Sequence, residues 1–263
     1  MLTRPCCWQL ALLAVLVCAL GSPLSAEQNW PRFGGENGDF TTKEELPVEW
    51  TASDVQWRTE LGGVGQSSPT VWGERIFVTT SERLDSGEVA RNLICINGND
   101  GKILWKKQAA TGPGEELHKM NTWATPSCAT DGELVVAYFG PGGLHCYTVD
   151  GEHKWSLELV KPVGPWGFAG SPVIYKDTVI QNCDAFGESF LVAVNKNDGK
   201  EIWRTERKKL PRGGWSTPII IDTGKRKELV LNGEFGVQGY NPETGEDYWF
   251  CKSFNGRGTP VPA

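Results

Sequence analysis

Short apolar stretches separated by turn residues run along most of the chain, and their pattern predicts β-strands. An apolar run at residues 172–175 follows a Ser-Pro pair, and Lys176-Asp177 gives a turn. Residues 178–180 and 190–194 supply a second and a third run, the latter rich in β-branched side chains. A Gly then turns the chain into a fourth strand near a tryptophan, because Gly readily adopts the positive φ of tight hairpins. No amphipathic helical pattern competes with this reading after residue 26.

The four-strand pattern recurs with a period near fifty residues. Residues 95–105, 193–203 and 239–249 share a small residue, an Asn, an Asp/Thr-Gly pair and a final Trp, and residues 146–155 form a shorter copy. A second marker keeps the same period: Ser68-Pro69, Thr125-Pro126, Ser171-Pro172, Thr217-Pro218 and Thr259-Pro260. Two markers with one period indicate an array of one unit. The sequence therefore predicts an all-β fold, a β-propeller of four-stranded antiparallel blades.

One tryptophan per repeat has a structural explanation. These residues are spaced by 48, 50, 48 and 46 positions. Burying an indole contributes at most about 4–6 kcal/mol, and its N–H needs a partner such as a backbone carbonyl of the next blade. We therefore expect five buried residues that dock one blade on the next: Trp57, Trp105, Trp155, Trp203 and Trp249.

The array is predicted to be incomplete. The tetrad at residues 57–60 recurs unchanged at 203–206, which makes it a fourth strand without the other three strands of its blade. The last residues begin a new first strand. We count three whole four-stranded repeats and parts of two others, so about four to five blades of a protein with six to eight. Dimerisation through the open edges is an alternative, and it would leave exposed strand edges in the monomer.

The repeats resemble the tryptophan-docking motif of the pyrroloquinoline-quinone-like (PQQ-like) repeat, Ala-x-Asp-x-x-Thr-Gly-x-x-x-Trp, over residues 50–263. Residues 29–38 and 46–50 look like the opening of secreted bacterial proteins of this superfamily. The resemblance implies one of two functions. Quinoprotein dehydrogenases hold the quinone and a calcium ion on the propeller face. Non-enzymatic relatives, including the scaffold lipoprotein of outer-membrane β-barrel assembly, bind other proteins.

Two departures from the dehydrogenase pattern favour the second function. The enzymes carry a vicinal disulfide, whereas the only adjacent cysteines here, Cys6-Cys7, lie in the targeting segment. No calcium-ligand and catalytic-aspartate signature is recognisable. We therefore expect a non-catalytic exported propeller, without cofactor or metal, that binds a protein or a carbohydrate. The alternative is a PQQ-dependent alcohol or sugar dehydrogenase that uses Ca²⁺ and has its site partly in the missing blades.

Targeting and charge set the compartment and the class of partner. Arg4, an apolar run at 10–20 and small residues up to Ala26 are typical of a secretory signal at residues 1–26. Residues 27–49 then form an N-terminal extension and 50–263 the repeats. The apolar run is too short for a comfortable membrane span, so we expect a periplasmic or extracellular protein. Without residues 1–26 the net charge is −7, which argues against nucleic acid.

Five cysteines remain after residue 26: Cys95, Cys128, Cys146, Cys183 and Cys251. Their odd number excludes complete intramolecular pairing. The repeat alignment places two of them, Cys95 and Cys146, where other repeats have Ala193 and Gly239. Buried thiols that pack like Ala are favoured there over a disulfide. The three histidines lack zinc-ligand spacing.

The segments that enter each first strand are the predicted ligand face, because only there do side chains of several blades converge. They are rich in Gly, aromatic and polar residues, which suit a planar ligand, a sugar or a peptide loop. The alternative is that these side chains only plug the channel. The residues expected on this face are Trp123, Trp166, Phe168, Arg212, Trp215 and Arg257.

Overall fold

A computed structural model describes residues 29–43, 45–161, 164–207, 213–252 and 258–262. The described part contains four four-stranded sheets whose strands follow chain order. Blade 1 has β1 (Thr70–Trp72), β2 (Arg75–Arg83), β3 (Val89–Asn97) and β4 (Ile103–Gly112); blade 2 has β5 (Ala129–Thr130), β6 (Leu134–Tyr138), β7 (Leu144–Thr148) and β8 (His153–Leu157). Blade 3 has β9 (Val173–Tyr175), β10 (Thr178–Asn182), β11 (Phe190–Asn195) and β12 (Glu201–Glu206); blade 4 has β13 (Ile219–Asp222), β14 (Lys227–Gly233), β15 (Gly236–Tyr240) and β16 (Asp247–Cys251).

These sheets confirm the prediction of an incomplete propeller with antiparallel four-stranded blades. The count of three whole repeats was wrong, because β13 to β16 complete a fourth sheet. Residues 57–60 form no strand in the described part of the chain. The helices described, Ala52–Asp54 and Gly140–Gly142, are single 3-10 turns, and neither is a candidate to span a membrane. The proposed signal segment, 1–26, lies outside the described residues.

The hydrophobic core lies between the blades. One cluster joins blades 2 and 3 through Val136 and Val192, and others join blade 1 to blade 2 and blade 3 to blade 4. Both faces of an inner strand are therefore covered, and β3 is buried along nearly its whole length. The outer strand β4 is mostly exposed or half-buried. Because third strands are covered on both faces and fourth strands are not, the sequences of third strands are nearly continuous apolar runs.

Four of the five repeat tryptophans sit opposite a small residue. Across the third and fourth strands, Trp105 pairs with Cys95, Trp155 with Cys146, Trp203 with Ala193 and Trp249 with Gly239. The register shifts immediately after each of these pairs. A recurrent β-bulge therefore lies directly before the indole on the fourth strand, where one residue (Leu104 in blade 1) has no partner, and the small residue leaves space for the ring.

Four indoles reach into the following blade. Trp57 Nε1 donates to the Gly98 carbonyl at 2.7 Å, and Trp155 Nε1 donates to the Lys196 carbonyl at 2.8 Å. Trp105 Nε1 donates to the Val149 carbonyl at 3.0 Å, and Trp203 Nε1 donates to the Pro242 carbonyl at 3.2 Å. Trp249 Nε1 donates instead to the Glu228 carboxylate of its own blade at 2.6 Å. Trp155 and Trp203 are buried, whereas the other three tryptophans are half-buried.

The turn glycine of the following blade faces each of these four rings. Gly245 has a φ of +74°, and a Cβ built on it would lie 2.5 Å from the Trp203 ring. The equivalent glycines 101, 151 and 199 also have positive φ and also face a tryptophan. Gly is therefore required there for two reasons, the backbone conformation and the close approach of the indole.

A series of hydrogen bonds to serine and threonine hydroxyls joins the segments that precede the first strands of successive blades. Ser68 N–H donates to Ser127 Oγ at 2.8 Å, Ser127 N–H to Ser171 Oγ at 3.0 Å, and Ser171 N–H to Thr217 Oγ1 at 2.9 Å. These bonds make Ser127-Cys128 the blade 2 equivalent of Ser171-Pro172. The alignment of Thr125-Pro126 with the other markers was therefore wrong by two residues.

The N-terminal segment runs across the first strands of three blades. Trp30 and Val71 of β1 exchange both backbone hydrogen bonds, and the Pro31 carbonyl accepts from Thr130 N–H of β5. The Arg32 guanidinium is buried and donates to the Pro218 carbonyl, next to β13, at 3.4 Å. Burial lowers the pKa of Arg32 to about 10, against the opposing effect of Asp39, so Arg32 stays charged at neutral pH.

Ion pairs join neighbouring blades at one end of the strands, which we call the turn face. This face carries the turns between first and second strands and between third and fourth strands. Arg75 pairs with Asp150 at 2.6 Å, Lys196 with Asp131 at 2.8 Å, and Lys176 with Glu243. Each pair connects the first turn of one blade to the second turn of the next blade.

Candidate functional site

The opposite end of the strands, which we call the connection face, carries the predicted ligand residues. Because each blade is an antiparallel meander, its second-to-third strand hairpin and the connection to the next blade lie at the same end. The hairpins are residues 84–88, 139–143 and 183–189. The described connections are residues 113–128, 158–161 with 164–172, and 213–218.

Trp123 holds the first connection against blade 1. Its Nε1 donates to the Glu115 carbonyl at 3.0 Å, and the Arg83 guanidinium carbon lies 5.0 Å from its ring centroid. Gly114 lies against the ring. A cleft of about 490 Å³ opens beside Trp123 and is also lined by Arg83, Glu116, His118 and Lys119.

Trp166 and Trp215 join the successive connections to one another. The Asn121 amide donates to the Trp166 carbonyl, and the His118 ring lies 5.4 Å from the Trp166 ring. Trp215 Nε1 donates to the Gly167 carbonyl at 3.0 Å. The connections from blades 1, 2 and 3 are therefore hydrogen-bonded in series.

The other three predicted ligand residues are placed differently. Phe168 is buried in the core between blades 2 and 3, with its ring 6.0 Å from Tyr138 in an edge-to-face arrangement. It faces the interior because Gly140 leaves room for its ring. Phe168 is thus separated from the half-buried Trp123, Trp166 and Trp215 of the same face. Arg212 and Arg257 lie outside the described residues.

Two exposed apolar side chains project from this face. Met120 is 70% exposed in the first connection, and Phe186 is 53% exposed in the blade 3 hairpin. Gly164 of the second connection packs against Phe186.

A buried ion pair supports the first connection from below. Arg91 Nη2 lies 2.6 Å from Glu115 Oε2, and both side chains are buried. Burial raises the pKa of Glu115, and the guanidinium opposes that shift. Since the Glu115 carbonyl also accepts from Trp123, the pair fixes the platform on which this indole rests.

A second buried polar group joins blades 3 and 4. Asp184 follows β10 as Glu234 follows β14, and the two carboxylates occupy equivalent positions. Arg207 Nε lies 3.0 Å from Asp184 Oδ1, and Arg207 also donates to the Tyr240 hydroxyl. Burial raises the pKa of Asp184 to about 6, although Arg207 acts in the opposite direction.

Sequence reasoning missed this group, although a signal existed. Asn182-Cys183-Asp184 and Asn232-Gly233-Glu234 share an Asn-x-acid pattern at the same repeat position. The pattern does not follow from the tryptophan and proline markers, because both lie elsewhere in the repeat.

The described residues do not assemble a metal-ligand set. No three His, Cys, Asp or Glu side chains of the described ranges come together in a way that could hold an ion. Cys95, Cys128, Cys146 and Cys183 are buried free thiols, and Cys251 is an exposed one. Burial raises the thiol pKa of Cys95 to about 11 and that of Cys146 to about 12, so both are protonated at neutral pH.

The chain is similar in fold to several solved structures. The quinohemoprotein alcohol dehydrogenase ADHIIG from Pseudomonas putida HK5 is 14% identical over 86% of this chain and 40% of that one, with a TM-score of 0.60. A europium-containing methanol dehydrogenase is 11% identical over 72% and 41%, with a TM-score of 0.52. BamB from Moraxella catarrhalis is 14% identical over 77% and 55%, with a TM-score of 0.49. The chain thus matches about two fifths to just over half of the length of these structures.

Among curated proteins, none gives a significant match to this chain. The model of one protein family matches it twice, at residues 41–164 and 92–259, as expected for a repeat in two registers. The matches together extend over most of the chain, which therefore belongs to the family described as outer membrane protein assembly factor BamB.

Proposed function

We propose that this chain is part of an exported propeller that binds a protein partner on its connection face, as an assembly factor, and that this binding needs no catalysis. One observation carries the proposal: the connections of three successive blades are joined through Asn121–Trp166 and Trp215–Gly167. Side chains from different blades are therefore held in a fixed arrangement before any partner arrives. A preorganised surface loses less conformational entropy on binding.

The exposed side chains favour a protein over a carbohydrate. Met120 and Phe186 offer apolar area, and Trp166 lies half-buried on the same face. Aromatic residues and Met are enriched at the centres of protein interfaces. The description of the family as an outer membrane protein assembly factor supports the same class of partner and a location at the outer membrane.

Site-specific photo-crosslinking in the native cell envelope tests this function. A photoreactive amino acid at position 120 or 186 is expected to capture a protein of the outer-membrane assembly machinery, identified by mass spectrometry. Position 225, exposed on the turn face, is the matched control and should capture little of it. Equal capture at all three positions, or none at 120 and 186, would reject the connection face as the binding surface.

A further inference from the structure

A cleft of about 570 Å³ lies between blades 1 and 2, where β4 and β8 end. Apolar side chains such as Pro113, Leu157 and Val160 form much of its wall. Six polar side chains also line it: Arg91, Thr111, His145, Ser156, Glu158 and Lys161. His145 and Ser156 have no part in the protein-binding function proposed above, and Arg91 supports that face only through its ion pair with Glu115. The inference therefore does not depend on that function.

Hydrogen bonds determine the tautomer of His145. Its Nε2 lies 2.7 Å from the Gly142 carbonyl oxygen, which can only accept, so Nε2 carries the proton. In the neutral ring, Nδ1 is then the basic nitrogen. Nδ1 lies 2.8 Å from Ser156 Oγ, and the Ser156 hydroxyl therefore donates to it.

The same hydroxyl has a second partner that fixes its position. His153 Nε2 lies 2.7 Å from Ser156 Oγ. Because the hydroxyl proton is directed at His145, His153 must donate here. His145 and Ser156 are also direct cross-strand partners of β7 and β8, so the backbone ladder holds the two side chains together.

The environment keeps His145 in its basic form and Ser156 accessible. His145 is only 5% exposed, and burial lowers its pKa, with His153 and Arg91 acting in the same direction. Ser156 is exposed to solvent. A neutral base beside an accessible hydroxyl is the arrangement that activates a nucleophile.

Arg91 lines the same cleft, and its side chain has one unused donor. Its Nη2 is engaged by Glu115, but its Nε has no hydrogen-bond partner within the described part of the chain, and the residue is 2% exposed. A buried N–H without a partner is costly.

We propose that Ser156 is a nucleophile and His145 its general base, in a site for small carboxylic esters with an apolar acyl group. The Ser156 proton moves to His145 Nδ1 as Oγ forms a bond to the ester carbonyl carbon. The bond from that carbon to the alcohol oxygen then breaks, and the alcohol leaves with the proton. Water attacks the acyl-serine, gives a proton to Nδ1, and releases the acid as Oγ takes that proton back.

Labelling of the full chain with an alkyl fluorophosphonate tests the proposal. We expect one adduct, located on Ser156 by peptide mass spectrometry, and its loss in Ser156→Ala. His145→Gln can keep both hydrogen bonds but cannot act as a base, so labelling should slow by about 10²-fold or more. Ser86→Ala, at an exposed serine in the blade 1 hairpin, is the matched control and should label at the wild-type rate.

Two outcomes would overturn the proposal. One is the absence of an adduct on Ser156 in protein whose near-ultraviolet circular dichroism shows it to be folded. The other is labelling of His145→Gln at the wild-type rate. Urea-unfolded wild type separates site chemistry from ordinary serine reactivity, because the proposal requires labelling to depend on the fold. A p-nitrophenyl butyrate assay should rank wild type and the three variants in the same order.

Discussion

A single tryptophan shows what one residue contributes to this fold. Trp203 is buried and donates to a carbonyl of the next blade, whereas Trp249 is half-buried and donates to a carboxylate of its own blade. The two share sequence context, strand position and the small residue opposite the ring. They differ in the presence of a described blade beyond them.

The comparison of these two residues tests whether tryptophans dock the blades. We expect Trp203→Ala to lower the free energy of unfolding by about 3–5 kcal/mol, as for other large buried aromatic side chains. Trp249→Ala should cost roughly half as much or less, because within the described part of the chain its indole covers no following blade. Urea denaturation measures both. Equal losses would show that the energy comes from packing within a blade.

Asp184 gives a pH dependence of defined sign. Its pKa in the folded protein, about 6, lies above the ordinary value of 3.8, so the folded state binds this proton more tightly than the unfolded state does. Between these values wild type should therefore gain stability relative to Asp184→Asn as the pH falls. The gain should be on the order of 1–3 kcal/mol and should vanish as the pH rises above 6. Denaturant melts of both proteins at pH 4.5 and 7 measure it; a constant difference would contradict the shift.

At the scale of single residues, the sequence predicted which residues lie in the connections better than it predicted what their side chains contact. The aromatic face was found because Trp123, Trp166 and Trp215 recur before the first strands. Phe168 occurs in the same kind of segment but its side chain is buried in the core. The space for its ring is left by Gly140, 28 positions earlier, and this contact cannot be read from the sequence. The His145–Ser156 pair escaped because the sequence shows no Ser-His-Asp pattern, and the cross-strand register that joins the two residues is not visible in their spacing.

At the scale of secondary-structure elements, the sequence repeat predicts where most strands lie, but it does not align every segment that connects one blade to the next. Third and fourth strands were predictable because both a small residue and a tryptophan mark them. The entry to blade 2 was misaligned because Thr125-Pro126 has the sequence of the Ser/Thr-Pro marker but lies two residues before the structurally equivalent pair. The hydrogen bonds from Ser68 N–H to Ser127 Oγ and from Ser127 N–H to Ser171 Oγ identify the equivalent residue.

The ion pairs between neighbouring blades on the turn face allow a prediction about how burial affects their strength. Lys196–Asp131 is mostly shielded, with side chains 16% and 21% exposed, whereas Lys176–Glu243 is largely exposed. A double-mutant cycle should give a coupling of about 1 kcal/mol for the shielded pair and near zero for the exposed pair. The charge-swapped variant Asp131→Lys with Lys196→Asp should recover part of the loss of either single change. Coupling of equal size in both pairs would mean that burial does not determine their strength.

For the molecule as a whole, the N-terminal segment supplies contacts between blades that are distant in sequence. It connects β1, β5 and the start of β13, which span 150 residues of chain from Thr70 to Ile219. The sequence marked residues 27–49 only as an extension. Nothing in their composition indicates contact with blade 4, because that contact depends on where the propeller axis lies.

Arg32 is the residue that tests this role. Arg32→Ala should speed amide hydrogen exchange in β13, next to Pro218, and leave β9 of blade 3 unchanged. The buried guanidinium is the part of the segment that reaches the Pro218 carbonyl. Arg58→Ala, at an exposed position, is the control. Unchanged protection of β13 in Arg32→Ala would show that the segment rests on blade 4 without stabilising it.

The alternation of indole and turn glycine has a consequence for how such a protein can change its size. Every described blade carries a tryptophan on its last strand and a receiving glycine before that strand, so each repeat encodes both halves of a joint. Tandem duplication of one repeat in the gene would therefore insert a blade whose two new joints are already compatible with its neighbours. Loss of one repeat would likewise leave a matched pair. The number of blades can thus evolve by recombination between repeats, without new contacts having to arise at the junction.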